Sequence, residues 1–181
     1  MADLSRPAGT AADRAHTPAR ATVVVTTVAS DSHTWNLVYL QLLLEELGYE
    51  VVNLGPCVPD ELLVHHCREI RPAAVVISSV NGHGAQDGLR VIRALREDEL
   101  TATLPVAIGG KLGVDGGATS HTERLLAAGF DAVFEDGTDT LTAFRRFLDE
   151  LGPAADRTLE SRAERAAVGR RHADEQMSVS V

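Results

Sequence analysis

Residues 21–33 read ATVVVTTVASDSH, an almost unbroken apolar and β-branched run that ends in polar residues. Valine and threonine favour extended backbone, and a near-continuous apolar run is typical of a strand that is buried on both faces of a sheet. Such strands belong to parallel sheets whose faces are covered by helices. Asp31 and His33 would then lie at the carboxyl edge of the sheet, where open α/β folds bind their ligands.

The pattern repeats along the chain, since short apolar runs alternate with longer segments of helical period. Because parallel strands need crossover connections, this alternation predicts an α/β fold with a doubly wound, five-stranded parallel sheet of the flavodoxin-like or Rossmann-like type. The predicted strands are Thr22–Val28, Glu50–Leu54, Ala73–Ser78, Leu104–Ile108 and Ala132–Phe134. The predicted helices are Thr34–Leu47, Pro59–Ile70, Asp87–Glu97, Thr119–Ala128 and Asp139–Leu151.

Length and composition indicate one domain with two tails. The chain has 181 residues, which suffice for one domain of ordinary size but not for two. We expect the domain to span residues 21–151, between a disordered N-terminal tail over 1–20 and a polar C-terminal tail over 152–181. No run approaches the roughly 20 apolar residues that span a bilayer, and the N-terminus lacks the layout of a secretory signal. These features predict a cytoplasmic protein that does not bind membranes.

The formal net charge of -9 is carried mainly by the predicted domain. An acidic field of this kind opposes nucleic-acid binding, and the sequence shows neither a basic stripe nor an aromatic platform. In the cytoplasm the two cysteines, Cys57 and Cys67, are expected to be reduced thiols. We expect Cys67 and its neighbours His65 and His66 to be packed or solvated residues of the second helix.

Asp31 and His33 are candidates for a metal site. A histidine that binds a metal through one ring nitrogen needs the other nitrogen fixed by a hydrogen-bond partner, and an aspartate two residues upstream can supply it. An Asp-x-His sequence near a strand end also occurs as turn chemistry or as a helix cap. The tripeptide alone leaves both interpretations open.

The other carboxyl-edge loops are rich in glycine and small polar residues. They comprise Ser78–Gly84 after the third strand, Gly109–Gly117 after the fourth and Glu135–Thr138 after the fifth. Glycine loses the most backbone entropy on folding, so the five glycines of Gly109–Gly117 indicate that something large and flat lies against this backbone. His83 and His121, on or near these loops, are possible supporting groups.

Several common ligands of such sheets are disfavoured because their motifs are missing. The chain has no Gly-x-Gly-x-x-Gly after the first strand, no Gly-Lys-Ser/Thr before a helix and no Gly-x-Ser-x-Gly. A phospho-receiver domain would place an aspartate at the end of the third strand, where this chain has Ser78. Dinucleotide binding, P-loop chemistry, phospho-transfer and serine hydrolysis are therefore all disfavoured.

Three loop motifs together resemble the cobalamin-binding domain family over residues 21–151. That family has Asp-x-His-x-x-Gly after strand one, Ser-x-Leu after strand three and Gly-Gly after strand four. The corresponding segments of this chain, in the same order, are Asp31–Asn36, Ser78–Val80 and Gly109–Gly110. Within the family, the sequence resembles in particular the small cobalamin-binding subunit of glutamate mutase, also called methylaspartate mutase.

Two motif positions differ from the family pattern, since Asn36 replaces the glycine and Val80 replaces the leucine. Asparagine tolerates unusual backbone angles better than most residues, but its side chain would crowd the cofactor or reshape the first helical turn. Trp35 beside it is the only tryptophan of the chain. Its large indole would serve either in packing or in contact with the corrin or a partner subunit.

The resemblance implies adenosylcobalamin as cofactor, bound with its dimethylbenzimidazole base displaced from cobalt and with His33 as the lower axial metal ligand. Asp31 would hold the other ring nitrogen. Ser78 would hydrogen-bond the displaced base. The implied cofactor-binding residues are Ser30, Asp31, Ser32, His33, Thr34, Ser78, Ser79, Val80, Gly82, Gly109, Gly110, Lys111, Leu112, Gly113, Val114, Asp115, Gly137 and Thr138.

The activity that the resemblance implies is that of an isomerase subunit of the glutamate mutase type. It would be active only with a separate large barrel-type subunit that holds the substrate, in a heterotetramer, with the cofactor supplying the reactivity. Three alternatives stay open: a corrinoid carrier for methyl transfer, a non-catalytic cobalamin-responsive module, and a domain that has lost its ligand. Carriers usually have a helical cap domain before the sheet, and residues 1–20 are too short to form one.

Overall fold

The computed structural model describes residues 21–113, 118–135 and 139–151. They form five strands and five helices in strict alternation. The strands are β1 (Thr22–Thr27), β2 (Glu50–Gly55), β3 (Ala74–Ser79), β4 (Val106–Gly110) and β5 (Ala132–Glu135). The helices are α1 (Trp35–Glu46), α2 (Asp60–Ile70), α3 (Gly84–Glu97), α4 (Ala118–Ala128) and α5 (Thr140–Glu150). The tails predicted over 1–20 and 152–181 lie outside the described residues.

All five strands are parallel and follow the order β2-β1-β3-β4-β5. The doubly wound, five-stranded sheet predicted from the sequence is therefore confirmed. Among the described helices, none is long and apolar enough to cross a membrane.

Helices cover both faces of the sheet because the central strands carry apolar side chains on both. On one face, α2, α3 and α4 pack over residues such as Val24 and Ile77. On the other face, α1 and α5 pack over Val23 and Val76. β3 is buried along its whole length. Each fully buried valine or isoleucine side chain contributes about 1.5–3 kcal/mol to the stability of the fold.

The boundaries of β4 differ from the prediction by two residues at each end. The strand begins at Val106, not Leu104, because the Leu104 amide closes a turn onto the Thr101 carbonyl (3.0 Å) and Pro105 has no amide to donate. It continues to Gly110 and pairs there with both neighbouring strands. The glycine pair expected in a loop therefore belongs to the strand itself.

The loop between β3 and α3 is shorter than predicted. α3 begins at Gly84, not at Asp87, because the Asp87 amide already donates to the His83 carbonyl (3.1 Å) as the first turn of the helix closes. Only residues 80–83 are left to connect the two elements. A loop of this length holds its backbone amides close to the end of β3.

The strand order places the topological switch point between the neighbouring strands β1 and β3. The chain continues from β1 into α1 on one face of the sheet but from β3 into α3 on the other. Loops that diverge in this way leave a crevice at the carboxyl edge, which is the usual ligand site of open α/β sheets. The loop that follows β1 carries Asp31 and His33 into this crevice.

Candidate functional site

The buried carboxylate of Asp31 is surrounded by four nitrogen atoms. Its Oδ1 accepts a hydrogen bond from the His33 backbone amide (3.0 Å) and lies 2.7 Å from Nδ1 of the His33 ring. Its Oδ2 accepts hydrogen bonds from the amides of Val80 (2.6 Å) and Asn81 (3.2 Å) in the loop after β3. Asp31, whose exposed fraction is 0%, therefore ties together the two loops that border the crevice.

The same contacts keep the Asp31 carboxylate ionised although it is buried. Burial alone would raise the pKa of Asp31, but the hydrogen bonds from the His33 and Val80 amides and from the His33 ring outweigh it and hold the pKa below its ordinary value of 3.8. An ionised carboxylate can only accept hydrogen bonds, so Nδ1 of His33 carries the proton. In the neutral ring, the free lone pair then lies on Nε2.

The His33 ring is held in place without being enclosed. Its side chain is 60% exposed, whereas the side chain of its partner Asp31 is 0% exposed. A fixed tautomer and an accessible Nε2 are the properties that a histidine needs to bind a metal. The turn contact from the His33 amide to Asp31 Oδ1 and the fixed imidazole that a metal ligand needs are both present.

The backbone of Asp31 is held as well as its side chain. The Asp31 carbonyl accepts hydrogen bonds from the Thr27 hydroxyl (2.6 Å) and from the Cys57 amide (3.0 Å). The Cys57 amide also lies 2.9 Å from the Thr27 hydroxyl oxygen. Through these contacts the loop after β1 is joined to the loop after β2 at the start of the crevice.

A chain of polar side chains, the Ser30–Asp60 network, runs from the loop after β1 to α2 and α3. The Ser30 hydroxyl donates to the Asp87 carboxylate and accepts from the Asn81 side-chain amide (2.9 Å). Arg90 donates to Asp87 (2.7 Å) and to Asp60 (2.5 Å). Asp60 and Asp87 are buried, and buried carboxylates are stable when they are paired and hydrogen-bonded in this way.

A cavity of about 360 Å³ opens between α1 and α5, over the carboxyl-terminal parts of β3, β4 and β5. Its walls are mainly apolar, and Asn36 and Ser78 contribute polar atoms, with Asn36 Nδ2 lying 3.4 Å from Ser78 Oγ. A volume and a lining of this kind are typical of small-molecule and cofactor sites. The lining residues are Asn36, Tyr39, Leu40, Leu43, Val76, Ile77, Ser78, Gly109, Gly110, Phe134, Thr140, Leu141 and Phe144.

Gly109 and Gly110 line this cavity and are also required by the packing of the sheet. A Cβ atom on Gly110 would lie 2.3 Å from the Ser79 carbonyl oxygen, and the φ of Gly110 is 108°, which side-chain-bearing residues rarely adopt. A Cβ atom on Gly109 would lie 2.9 Å from the Phe134 carbonyl oxygen. The sequence predicts that these glycines make room for a ligand, but the packing of the neighbouring strands requires them as well.

The structure brings some of the cofactor-binding residues predicted from the sequence together, in two groups. Ser30, His33 and Val80 contact Asp31 or its loop, and Ser78, Gly109 and Gly110 line the cavity. Of the other predicted site residues that the structure describes, Ser32, Thr34 and Lys111 are exposed. Ser79, Gly82 and Leu112 are buried, and Gly113 is half-buried. Val114, Asp115, Gly137 and Thr138 lie outside the described residues.

Leu112 contributes to the core rather than to the cavity. Its side chain is 2% exposed and packs among the residues under α2, α3 and α4, on the face of the sheet opposite to α1 and α5. Its carbonyl accepts the Ala85 amide (2.8 Å) at the start of α3. Gly113, next to it, lies so close to the His121 ring that a Cβ atom would come within 2.6 Å of Nε2.

Sequence reasoning missed Asn81 and most of the cavity wall. Asn81 lies 51 positions from Ser30, whose oxygen atoms it contacts, and no local pattern signals an approach of two distant loops. The α1 residues of the wall did have a signal. Residues 35–44 of α1 are apolar on almost every side, which is more than one buried face requires.

The family model and the most similar sequences agree on one family. Residues 21–145 match the B12 binding domain family. The glutamate mutase sigma subunit of Carboxydothermus hydrogenoformans is 34% identical over 134 residues, which cover 72% of this chain and 95% of that protein. Glutamate mutase sigma subunit 2 of Haloarcula marismortui is 32% identical over 132 residues, which cover 72% of this chain and 88% of that protein.

A solved structure of a cobalamin-binding protein is similar to this chain. A cobalamin-binding protein from Desulfitobacterium hafniense DCB-2 superimposes with a TM-score of 0.57 and 27% identity, covering 71% of this chain and 59% of that one. The region matched by the family includes the Asp31–His33 pair and all lining residues of the cavity.

Proposed function

This chain belongs to the B12-binding domain family, and on that premise we propose that it is the cobalamin-binding subunit of an adenosylcobalamin-dependent carbon-skeleton mutase of the glutamate mutase type. One observation carries the proposal. The His33 Nδ1 atom lies 2.7 Å from the buried Asp31 carboxylate at the switch point of the sheet. The arrangement leaves Nε2 of an exposed imidazole available to cobalt.

The described residues fit a cobalamin whose lower base is displaced. His33 would be the lower axial ligand of cobalt, and the ionised Asp31 would fix its tautomer and raise its basicity. The cavity between α1 and α5 would take the displaced nucleotide tail, because its apolar walls suit an aromatic base. Ser78 offers its hydroxyl group to the tail at the wall of the cavity.

Bound adenosylcobalamin would supply a cobalt–carbon bond whose homolysis starts the radical rearrangement of a substrate. The chain itself binds and orients. Asp31, through the amides of Val80 and Asn81, keeps the His33 ring at a set position over the crevice. Ser30, through Asp87, restrains the loop that carries the ring.

We assign the substrate site to a separate, barrel-type large subunit and the active form to a heterotetramer. The curated relatives are named sigma subunits, a name that describes one component of a larger enzyme. Ser32, His33 and Thr34 are exposed at the carboxyl edge, so a second protein can close over a cofactor bound there.

Electron spin resonance of the cobalt(II) form tests the proposed ligation. The chain is produced with ¹⁵N-labelled histidine and loaded with cob(II)alamin. Ligation by His33 predicts a doublet superhyperfine pattern from one ¹⁵N nucleus, whereas the cofactor's own ¹⁴N base would give a triplet. His33→Ala should lose the doublet.

His83→Ala is the matched control, since His83 is also an exposed histidine at the carboxyl edge. It should keep the doublet. A triplet in the labelled wild type, or a doublet that persists in His33→Ala, would refute the proposed ligation. A chain that takes up no cobalamin at all would refute the function.

A further inference from the structure

The outward face of α1 is apolar over two turns. Trp35 is 84% exposed, Leu42 60%, Tyr39 57% and Val38 45%. These four residues, which we call the α1 stripe, share one face of the helix, because Trp35 and Leu42 each lie three or four positions from both Val38 and Tyr39. Residues 35–44 contain no charged side chain. The exposure of Trp35 also means that its interpretation as a packing residue was wrong.

The α1 stripe is unusual within the part of the chain that the structure describes. Each of α2, α4 and α5 exposes a single large apolar side chain, and α3 exposes none. Single exposed leucines are common on soluble domains and need no explanation. Four in one row, headed by the only tryptophan of the sequence, are typical of a surface that another molecule covers.

The edges of the α1 stripe connect it to the proposed cofactor site. Trp35 lies two residues after His33, and Tyr39 also lines the cavity between α1 and α5. On the side towards β2 the stripe ends at polar side chains, where Asn53 donates to Gln41 (3.1 Å) and Gln41 donates to Glu45 (2.9 Å). An apolar centre with a polar rim is the usual anatomy of a protein interface.

The size of the α1 stripe argues against a second copy of this chain as its occupant. Judged from the area of aromatic side chains, the stripe exposes on the order of 500 Å². A stable dimer needs about 800 Å² from each partner. The stripe is therefore one part of a larger interface, and the surface continuous with it is the His33 face.

We propose that the α1 stripe docks the large, substrate-binding subunit, which covers the His33 face and continues over the first two turns of α1. This proposal rests on the proposed function, because that function supplies the covering partner. The partner surface should be apolar and free of charge where it meets Trp35 and Leu42, since a charged group there would lose its water without gaining a counter-ion. The stripe would thus decide which large subunit this chain accepts.

The test compares two double variants of the full chain. Val38→Ser combined with Leu42→Ser removes the centre of the stripe, whose residues are 45% and 60% exposed. Leu126→Ser combined with Leu100→Ser is the control, since these leucines are 43% and 56% exposed but lie away from α1. Each chain is first titrated with cobalamin alone. Each loaded chain is then titrated by calorimetry with the purified large mutase subunit of the same organism.

The expected result is that both double variants bind cobalamin like the wild type. The stripe variant should bind the large subunit about tenfold more weakly or worse, as is usual when central interface residues are truncated, while the control stays within about twofold. Equal affinity of the two variants for the large subunit would overturn the proposal. So would a stripe variant that loses cobalamin, because the stripe would then belong to the cofactor site.

Sedimentation of the loaded wild type and of the loaded stripe variant, each without the large subunit, tests whether a second copy of this chain is the occupant. A wild-type dimer that becomes monomeric in the stripe variant would identify a second copy as the occupant and overturn the proposal. A wild type that loads cobalamin but binds no large subunit would overturn it as well, while cobalamin binding itself would stand. Failure to load cobalamin would be a failure of the proposed function instead.

Discussion

Asn36 Nδ2 lies 3.4 Å from Ser78 Oγ, so a side chain from the first turn of α1 reaches the end of β3 across the wall of the cavity. The family motif has glycine at this position, and a glycine would leave this space open. A hydrogen bond of 3.4 Å is long and therefore weak. The amide would have to move when a nucleotide tail enters, and it would lose contact with water as it did so.

Removal of this amide should strengthen cobalamin binding. Burying an amide without full hydrogen bonding costs about 1 kcal/mol, so Asn36→Ala should lower the dissociation constant about fivefold. Asn36→Gln is the matched control, since it keeps the chemistry but adds a methylene and should bind more weakly than the wild type. Equilibrium dialysis measures all three. If Gln matched the wild type and Ala were weaker, the amide would instead be a contact of the tail.

The positions of the strands and helices could be predicted from the sequence because local pattern decides them. β1 and β3 are central strands, and their runs of valine and isoleucine have no other stable location than the middle of a covered sheet. The ends of elements were less predictable. Leu104 is an apolar residue of the kind that strands contain, yet its amide donates to the Thr101 carbonyl in a turn and therefore does not join the hydrogen bonds between strands.

The site was predictable only where its parts are close in the sequence. Asp31 and His33 are two residues apart, so their hydrogen bond could be inferred from chemistry alone. The amides of Val80 and Asn81 reach Asp31 from about 50 residues away, because the strand order brings the two loops together. The part of the cavity wall that α5 contributes depends on how that helix packs on the sheet, and no short sequence pattern predicts this packing.

Asp31→Asn should destabilise the chain by about 2 kcal/mol, because an asparagine would turn one NH₂ group towards amides that need an acceptor. The side chain of Asp31 is buried, so no water can replace the lost bonds. Asp149→Asn, at an exposed position of α5, should change the free energy of unfolding by less than about 0.5 kcal/mol. Urea unfolding at neutral pH measures both. Equal small losses would show that Asp31 does not hold the loops together.

The loss in the free energy of unfolding that Asp31→Asn causes should be smaller at acidic pH. The pKa of Asp31 in the folded chain lies below its ordinary value of 3.8, so its ionised form stabilises the fold above that pH. This stabilisation is lost as the pH falls from about 4 through the lower, folded pKa. Unfolding of the cobalamin-free chain at pH 6 and at pH 3 should therefore give a smaller difference between wild type and variant at pH 3. A larger difference in acid would contradict the hydrogen-bond assignment.

The two cysteines should differ in reactivity. Burial raises the pKa of the Cys67 thiol to about 12, and its residue is 2% exposed, whereas Cys57 is exposed. The thiolate is the reactive form, so alkylation at pH 8 should label Cys57 in the native chain and both thiols in urea. Cys57→Ser should abolish the native labelling, and Cys67→Ser should leave it unchanged. Equal labelling rates of both thiols in the native chain would be inconsistent with this structure.

Arg90→Gln and Arg68→Gln make a matched pair that isolates the Ser30–Asp60 network. The two arginine side chains are 53% and 52% exposed, but Arg90 contacts two buried carboxylates at 2.5 and 2.7 Å, whereas Arg68 contacts Asp98 at 3.6 Å. Without Arg90, the buried carboxylates of Asp60 and Asp87 would lose the only ion-pair partner that they have among the described residues.

We therefore expect Arg90→Gln to cost about 3 kcal/mol in the free energy of unfolding and Arg68→Gln less than about 1 kcal/mol. Because the network ends on Ser30, next to Asp31, Arg90→Gln should also weaken cobalamin binding severalfold, which Arg68→Gln should not do. Urea unfolding and cobalamin titration of the same preparations measure both effects. A destabilised Arg90→Gln chain that binds cobalamin as the wild type does would show that the network supports the fold but does not position the loop of His33.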